Sequence, residues 1–174
     1  MKKDLNDVYA VFSLGGNEIP VSPWCPRTNT LDNTGATAAW EFDEHDHKWM
    51  VDITKEQLLS ESIRVVFMEE NHHRADKLIG KAEFPLKRLV EHGINGKPIE
   101  FEAKLQNTSI KKDAGHMKMT LCLAPATGIM PESSDDNIRP TSSGFSMFTT
   151  TSGFTSAALC VRSVSARDMP NMES

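Results

Sequence analysis

The chain has 174 residues, 39% hydrophobic and 25% charged, a length that supplies one globular core and excludes two domains of average size. No run approaches the roughly 18 apolar residues of a membrane span, and no apolar segment follows the charged start MKKDLNDVY, so neither a spanning helix nor a secretory signal is expected. A net charge of −5 argues against unaided attraction to nucleic acid or anionic lipid; the three cysteines, Cys25, Cys122 and Cys160, lie far apart and outside C-x-x-C spacing, which points to reduced thiols in a cytoplasmic setting.

In chain order, short apolar runs bounded by turn formers recur at VYAVFSL (8–14), AAWEF (38–42), WMVDI (49–53), SIRVVFM (62–68), LIGKAEF (78–84), PIEFEAKL (98–105) and HMKMTLCL (116–123). They are rich in β-branched and aromatic residues, and some alternate cleanly: Ile99, Phe101, Ala103 and Leu105 interleave with Glu100, Glu102 and Lys104. The breaks carry Gly15-Gly16, Asn33-Thr34-Gly35, Asn95-Gly96 and Asp113-Ala114-Gly115. Two helical turns interrupt the strands. Thr54 and Gln57 have capping-box spacing before Leu58 and Leu59, and residues 85–92 open on Pro85 and stop at Gly93.

From 124 to 156 the texture turns to Ser, Thr, Gly and Pro, a composition that reads as a disordered linker. Inside it TSSGFS (141–146) and TTSGFT (150–155) nearly repeat; with Phe145, Phe148 and Phe154 they read either as low-complexity drift or as a phosphorylatable or docking element. Ordered texture returns in SAALCVRSVSARDMPNMES, where AALCVRSV (157–164) supplies one more strand. The pattern predicts an all-β fold, an eight-stranded antiparallel β-sandwich with seven strands in 8–123 and the eighth from 157–164.

Four segments resemble C2 domains. NDVYAVFSLGG is similar to their D-P-Y-V-x-V strand, with Val8 in place of the proline, and the stretch around Trp40 resembles their N-P-x-W-N-E strand without its Asn-Pro. SIRVVFMEENHHRADKLIGKAEFPLKRL resembles L-x-V-x-V-x-D-x-D, a loop, D-x-x-I-G and an amphipathic P-L-x-x-L. The closing SAALCVRSVSARDMPNMES resembles the C2 opening strand and first loop, L-x-V-x-V-x-x-A-R-x-L-P-x-M-D.

In C2 domains the ARDMP-type strand precedes the DVYAVF-type strand, whereas here it comes last. The implied organisation is a C2-like sandwich lacking its opening strand (1–123), a linker (124–156), and the opening strand with part of the first loop (157–174), expected to dock on 1–123. Either the chain is a circular permutant or it is cut from a tandem C2 array. A linker of this length spans about 30 Å, so it reaches across a domain. A lone apolar strand is an edge-pairing hazard, which favours docking in cis, with a strand-exchanged oligomer as the concentration-dependent variant.

The resemblance implies a calcium site, which requires roughly six to eight oxygens and several carboxylates. By correspondence with the family the candidates are Asp7 and Glu173 from the first loop and Glu69, Asn71 and Asp76 from the third, with Asp4 or Glu70 as substitutes. Asn71 removes a charge, and Lys77 puts a cation where the family has its last acid; the set is degenerate, implying weak calcium binding or none. His72, His73 and Lys77 are candidate lipid or interface contacts at the same loop.

DEHDH (43–47) and His72-His73 have no spacing that fixes a tetrahedral metal site. Lys104, Lys111, Lys112 and Lys118 form one loose basic group, and Lys81, Lys87 and Arg88 another. G-x-S-x-G, P-loop and Rossmann patterns are missing. The expected function is a non-enzymatic, cytoplasmic, peripherally membrane-associated module that docks on anionic phospholipid. The alternative is a protein-interaction module, or a fragment of a tandem C2 protein without lipid binding of its own.

Overall fold

The computed structural model describes residues 6–15, 24–110, 113–126 and 156–172. Among the described residues eight strands carry the fold: β1 (Val8–Leu14), β2 (Ala38–Glu41), β3 (Met50–Thr54), β4 (Ser62–Glu69), β5 (Lys77–Pro85), β6 (Ile99–Lys104), β7 (His116–Pro125) and β8 (Ser156–Arg167). Two short helices, α1 (Lys55–Ser60) and α2 (Lys87–Val90), flank β4 and follow β5. The chain is all-β with antiparallel sheets, and its eighth strand comes from the C-terminal segment, as expected from the alternating texture.

One sheet has the order β1-β4-β5; the other runs β2-β8-β7-β6, with β3 also paired to β8. Strand β8 is the organiser of the second sheet. Along one edge it pairs with β7 from Ala157 to Arg167, while its other edge takes β3 at Ser156–Cys160 and β2 at Ser163–Ala166. Its inward residues Ala157, Leu159, Val161, Val164 and Ala166 are buried in the core shared with Phe12, Ile63, Val65 and Phe67 of the three-stranded sheet. Aromatic contacts link the two sheets, with ring centroids 6.2 Å apart for Trp40–Phe67 and 3.8 Å for Phe84–Phe101.

One strand end moves from its expected place. Ala124 and Pro125, assigned by composition to the linker, continue β7 because they pair with Ala158 and Ala157. Pro125 has no N–H to offer the ladder and sits at the strand's last position, where that deficit is tolerated. Residues 127–155, with Phe145, Phe148 and Phe154, lie outside the described residues.

Local chemistry explains the remaining punctuation. Gln57 N donates to Thr54 Oγ1 at 3.2 Å and Thr54 N donates to Gln57 Oε1 at 2.9 Å, the reciprocal capping box that starts α1. Gly80, the glycine of the I-G dipeptide, lies where a Cβ would come within 2.9 Å of the Leu105 Cβ. Gly115 combines φ of +95° with a backbone so close to β8 that a Cβ would sit 2.3 Å from the Arg167 carbonyl oxygen. Among the described residues no helix is long and apolar enough to cross a membrane.

Candidate functional site

The residues expected at a calcium loop gather at one end of the three-stranded sheet. Val8 of β1 pairs with Glu69 of β4, and Glu70 N donates to the Asp7 carbonyl at 2.7 Å, so Asp7, Glu69 and Glu70 are neighbours. The connection from β4 to β5 is closed by its own side chains. Asn71 Oδ1 accepts from His73 N and Arg74 N at 3.1 Å each, an Asx turn that leaves His72, His73 and Arg74 exposed at the tip. Asn71 N donates to Asp76 Oδ1 at 3.0 Å, tying the two ends of the loop together. Lys77 belongs to β5, opposite Glu69, rather than to the loop. Asp4 and Glu173 lie outside the described residues.

Three carboxylates of this end, Asp7, Glu70 and Asp76, accept hydrogen bonds from within the protein. Tyr9 Oη donates to Asp76 Oδ2 at 2.6 Å; Asn33 N donates to Asp7 Oδ1 at 2.8 Å; Glu70 accepts from Arg27 Nη2 at 2.7 Å and from Thr30 Oγ1 at 2.6 Å. Arg27 lies over the Tyr9 ring, its guanidinium carbon 3.7 Å from the centroid, adding a cation–π contact. The Tyr9 hydroxyl and the Asn71 amide hold the Asp76 carboxyl below its ordinary range, and Thr30 with Arg27 does the same for Glu70. Burial and the bond to Asp76 push the Tyr9 phenol up to about 12.

Part of this donor set is already engaged by the protein itself. A hard dication needs several convergent oxygens free to turn towards it, yet the oxygens of Asp76 and Glu70 already accept strong hydrogen bonds, and Arg27 brings a fixed cation to the cluster. Among the described residues no three His, Cys, Asp or Glu side chains converge on a common centre. Arg27 and Thr30 carried no motif in the sequence; they reach the loop only because the 24–36 segment folds back along β1, with Thr28 N donating to the Ala10 carbonyl at 3.0 Å.

The segments before β1 and after β8 meet at Asn6. Its amide Nδ2 donates to the carbonyls of Gly35 at 3.2 Å and Pro170 at 3.0 Å, and its Oδ1 accepts from Met172 N at 3.1 Å. One buried side chain thereby ties the segment before β1 to the segment after β8.

A second candidate lies where the open edges of the two sheets approach. Lys81 N donates to the Gln106 carbonyl at 3.0 Å and Gln106 N to the Lys81 carbonyl at 2.8 Å, joining β5 to the residues after β6. Beside this bridge opens a cavity of about 530 Å³, lined by Arg64, Lys81, Ala82, Glu83, Ala103, Lys104 and Gln106. Arg64 projects from β4 with its side chain 8% exposed and lies 3.4 Å from Glu83; Lys104 Nζ is 2.8 Å from Asp113 in an exposed pair. An exposed pair such as Lys104–Asp113 contributes little to stability. Lys81 and Lys104, which the sequence divides between two basic groups, line the same cavity; Lys111 and Lys112 lie outside the described residues.

No protein-family model and no curated protein matches the chain. The all-β architecture and these two sites therefore carry the functional reading.

Proposed function

We propose that this protein is a C2-type docking module that binds anionic phospholipid through the cavity between β5 and β6, without requiring calcium. The supporting observation is that Arg64, Lys81 and Lys104 line one concavity of headgroup size. A guanidinium and two ammonium groups suit a phosphate, the guanidinium as a planar fork and the lysines as point charges. Net charge is no obstacle, because attraction to a surface depends on the local field within about a Debye length. Calcium independence rests on the commitment of Asp7, Glu70 and Asp76 to internal donors. In this reading Arg27 supplies the positive charge that a metal brings to this end of other C2 domains. The protein acts by docking rather than by catalysis, as a cytoplasmic, peripherally bound module.

Co-sedimentation with vesicles containing phosphatidylserine or a phosphoinositide tests this, with chelator or with millimolar calcium. The expected result is pelleting that calcium does not change and that salt weakens. Replacing Lys81 and Lys104 together by Glu should reduce binding about tenfold or more, given about 1 kcal/mol for each basic residue near an anionic surface. Absence of pelleting in every condition rejects the lipid reading and leaves the protein-interaction alternative.

A further inference from the structure

The face of the five-stranded sheet turned away from the common core carries a row of sulfur. Cys122 of β7 stands directly opposite Cys160 of β8, and Cys160 stands directly opposite Met50 of β3. Along β8, Ala157, Leu159 and Val161 point into the core; Ala158 and Cys160 have the opposite parity and form a separate small cluster with Cys122, packed by Met50 and Ala124. Both thiols are free and buried, whereas the third, Cys25, is exposed.

The pairing depends on a bulge. Between Thr120 opposite Ser163 and Leu121 opposite Val161, β8 holds one extra residue, Arg162. Bulges insert an unpaired residue and re-aim its side chain. This one brings Cys160 into register with Cys122 and places the Arg162 guanidinium beside the Cys122 sulfur. The guanidinium also meets Glu44 at 3.4 Å. Asp52 adds a carboxylate on the Cys160 side.

We infer that Cys122 and Cys160 form a redox-active dithiol that closes to a disulfide in response to a hydroperoxide and locks β8 onto β7. Directly opposed residues on antiparallel strands have Cα atoms about 4.5–5.5 Å apart, inside the roughly 4.4–6.8 Å range of disulfides, so the register satisfies the first requirement for closure. The two sulfurs have different roles. The hydrogen bond from the Cys160 thiol and the Arg162 guanidinium favour the thiolate of Cys122, whose pKa is lowered, while the same hydrogen bond and burial raise that of Cys160.

The Cys122 thiolate attacks one peroxide oxygen. The O–O bond breaks, Cys122 becomes a sulfenic acid, and the departing hydroxide or alkoxide takes a proton from solvent. The Cys160 sulfur then attacks the Cys122 sulfur; the S–O bond breaks, the S–S bond forms, and the Cys160 proton leaves with the hydroxyl as water. Two electrons pass from the dithiol to the peroxide.

Titration of the full chain with hydrogen peroxide, in wild type and Cys25→Ser, tests the inference by intact mass and non-reducing peptide mapping. The expected product is a monomer lighter by two hydrogen masses, with the Cys122 and Cys160 peptides linked and the link undone by dithiothreitol. Cys160→Ser should accumulate a sulfenic acid at Cys122 that a 1,3-diketone traps. Arg162→Gln should slow oxidation at neutral pH, because less of Cys122 is then thiolate, and Arg162→Lys should restore part of the rate. Thermal melts of each variant identify any rate change caused by unfolding, and the wild-type map needs no substitution. The inference is overturned if both thiols alkylate fully in the unfolded protein after peroxide treatment. Cross-links found only between chains, or a sulfenic acid that forms as readily at Cys160 in Cys122→Ser, overturn it as well.

Discussion

The two sheets are assembled from the chain in opposite ways. The three-stranded sheet joins β1, β4 and β5, and its acidic loop is a simple connection between neighbours in sequence. The five-stranded sheet is held by β8, which bonds β7 on one side and both β2 and β3 on the other, across the longest sequence separations in the fold. One sheet combines the local β4–β5 pairing with the longer-range β1–β4 pairing, while the other depends on a strand delivered last. Contacts of long separation carry the larger loop-closure cost, so the second sheet is the place where the fold is most easily undone.

Removing residues 156–174 should have the largest effect. It strips β2 and β3 of their partner and takes Leu159, Val161 and Val164 from the core, so the remaining chain should show no cooperative thermal transition by circular dichroism. An unchanged melt would mean that β8 is dispensable to both sheets. Leu159→Ala keeps the strand and deletes one fully buried side chain, with an expected loss of about 2–5 kcal/mol in denaturant titration. Asn6→Ala should cost about 1–3 kcal/mol, since it orphans the Gly35 and Pro170 carbonyls and the Met172 N–H.

The smallest effect belongs to the three-stranded sheet. Tyr9→Phe should cost roughly 1 kcal/mol, the net worth of one hydrogen bond partly open to water. Its pH dependence is the sharper readout. The Tyr9 phenol is raised on folding, so its contribution is complete below the ordinary value near 10 and is lost as pH climbs to about 12. Asp76 and Glu70 are depressed, so their contributions are present above the ordinary carboxylate range near 4 and fade as pH falls through the lowered values. Tyr9→Phe should abolish the alkaline loss and move the Asp76 step upward, as followed by carboxylate NMR titration.

Strand texture was legible because alternation and turn residues are local properties. The capping box of Thr54 and Gln57 was legible for the same reason, whereas the second helix is shorter than the expected 85–92, because Pro85 ends β5 and α2 covers only Lys87–Val90. The return of the C-terminal segment was legible as one more alternating apolar run, and Met169 and Pro170 anchor its end, with Met169 N donating to the Ala36 carbonyl at 3.0 Å. What one strand meets across a sheet was hidden. The β8 bulge at Arg162 is a shift of one residue that no composition reports, and it decides whether Cys122 faces Cys160. Arg64, Lys81 and Lys104 sit on three strands in two sheets, so no linear cluster announces them. Asp7, Glu69, Asn71 and Asp76 were read as metal candidates by position alone; the donors that engage Asp7 and Asp76, Asn33 and Tyr9, come from elsewhere in the chain.

The late arrival of β8 has a consequence for biosynthesis. Thirty residues separate Pro125 from Ser156, so at roughly 5–20 residues per second β7 is made about two to six seconds before β8 begins. During that interval β2, β3 and β7 have no β8 to pair with, and their apolar faces present open edges to any neighbouring nascent chain. Ribosome-proximal chaperones should therefore hold this protein until its last strand is out, and slowing translation between residues 126 and 155 should lower its soluble yield.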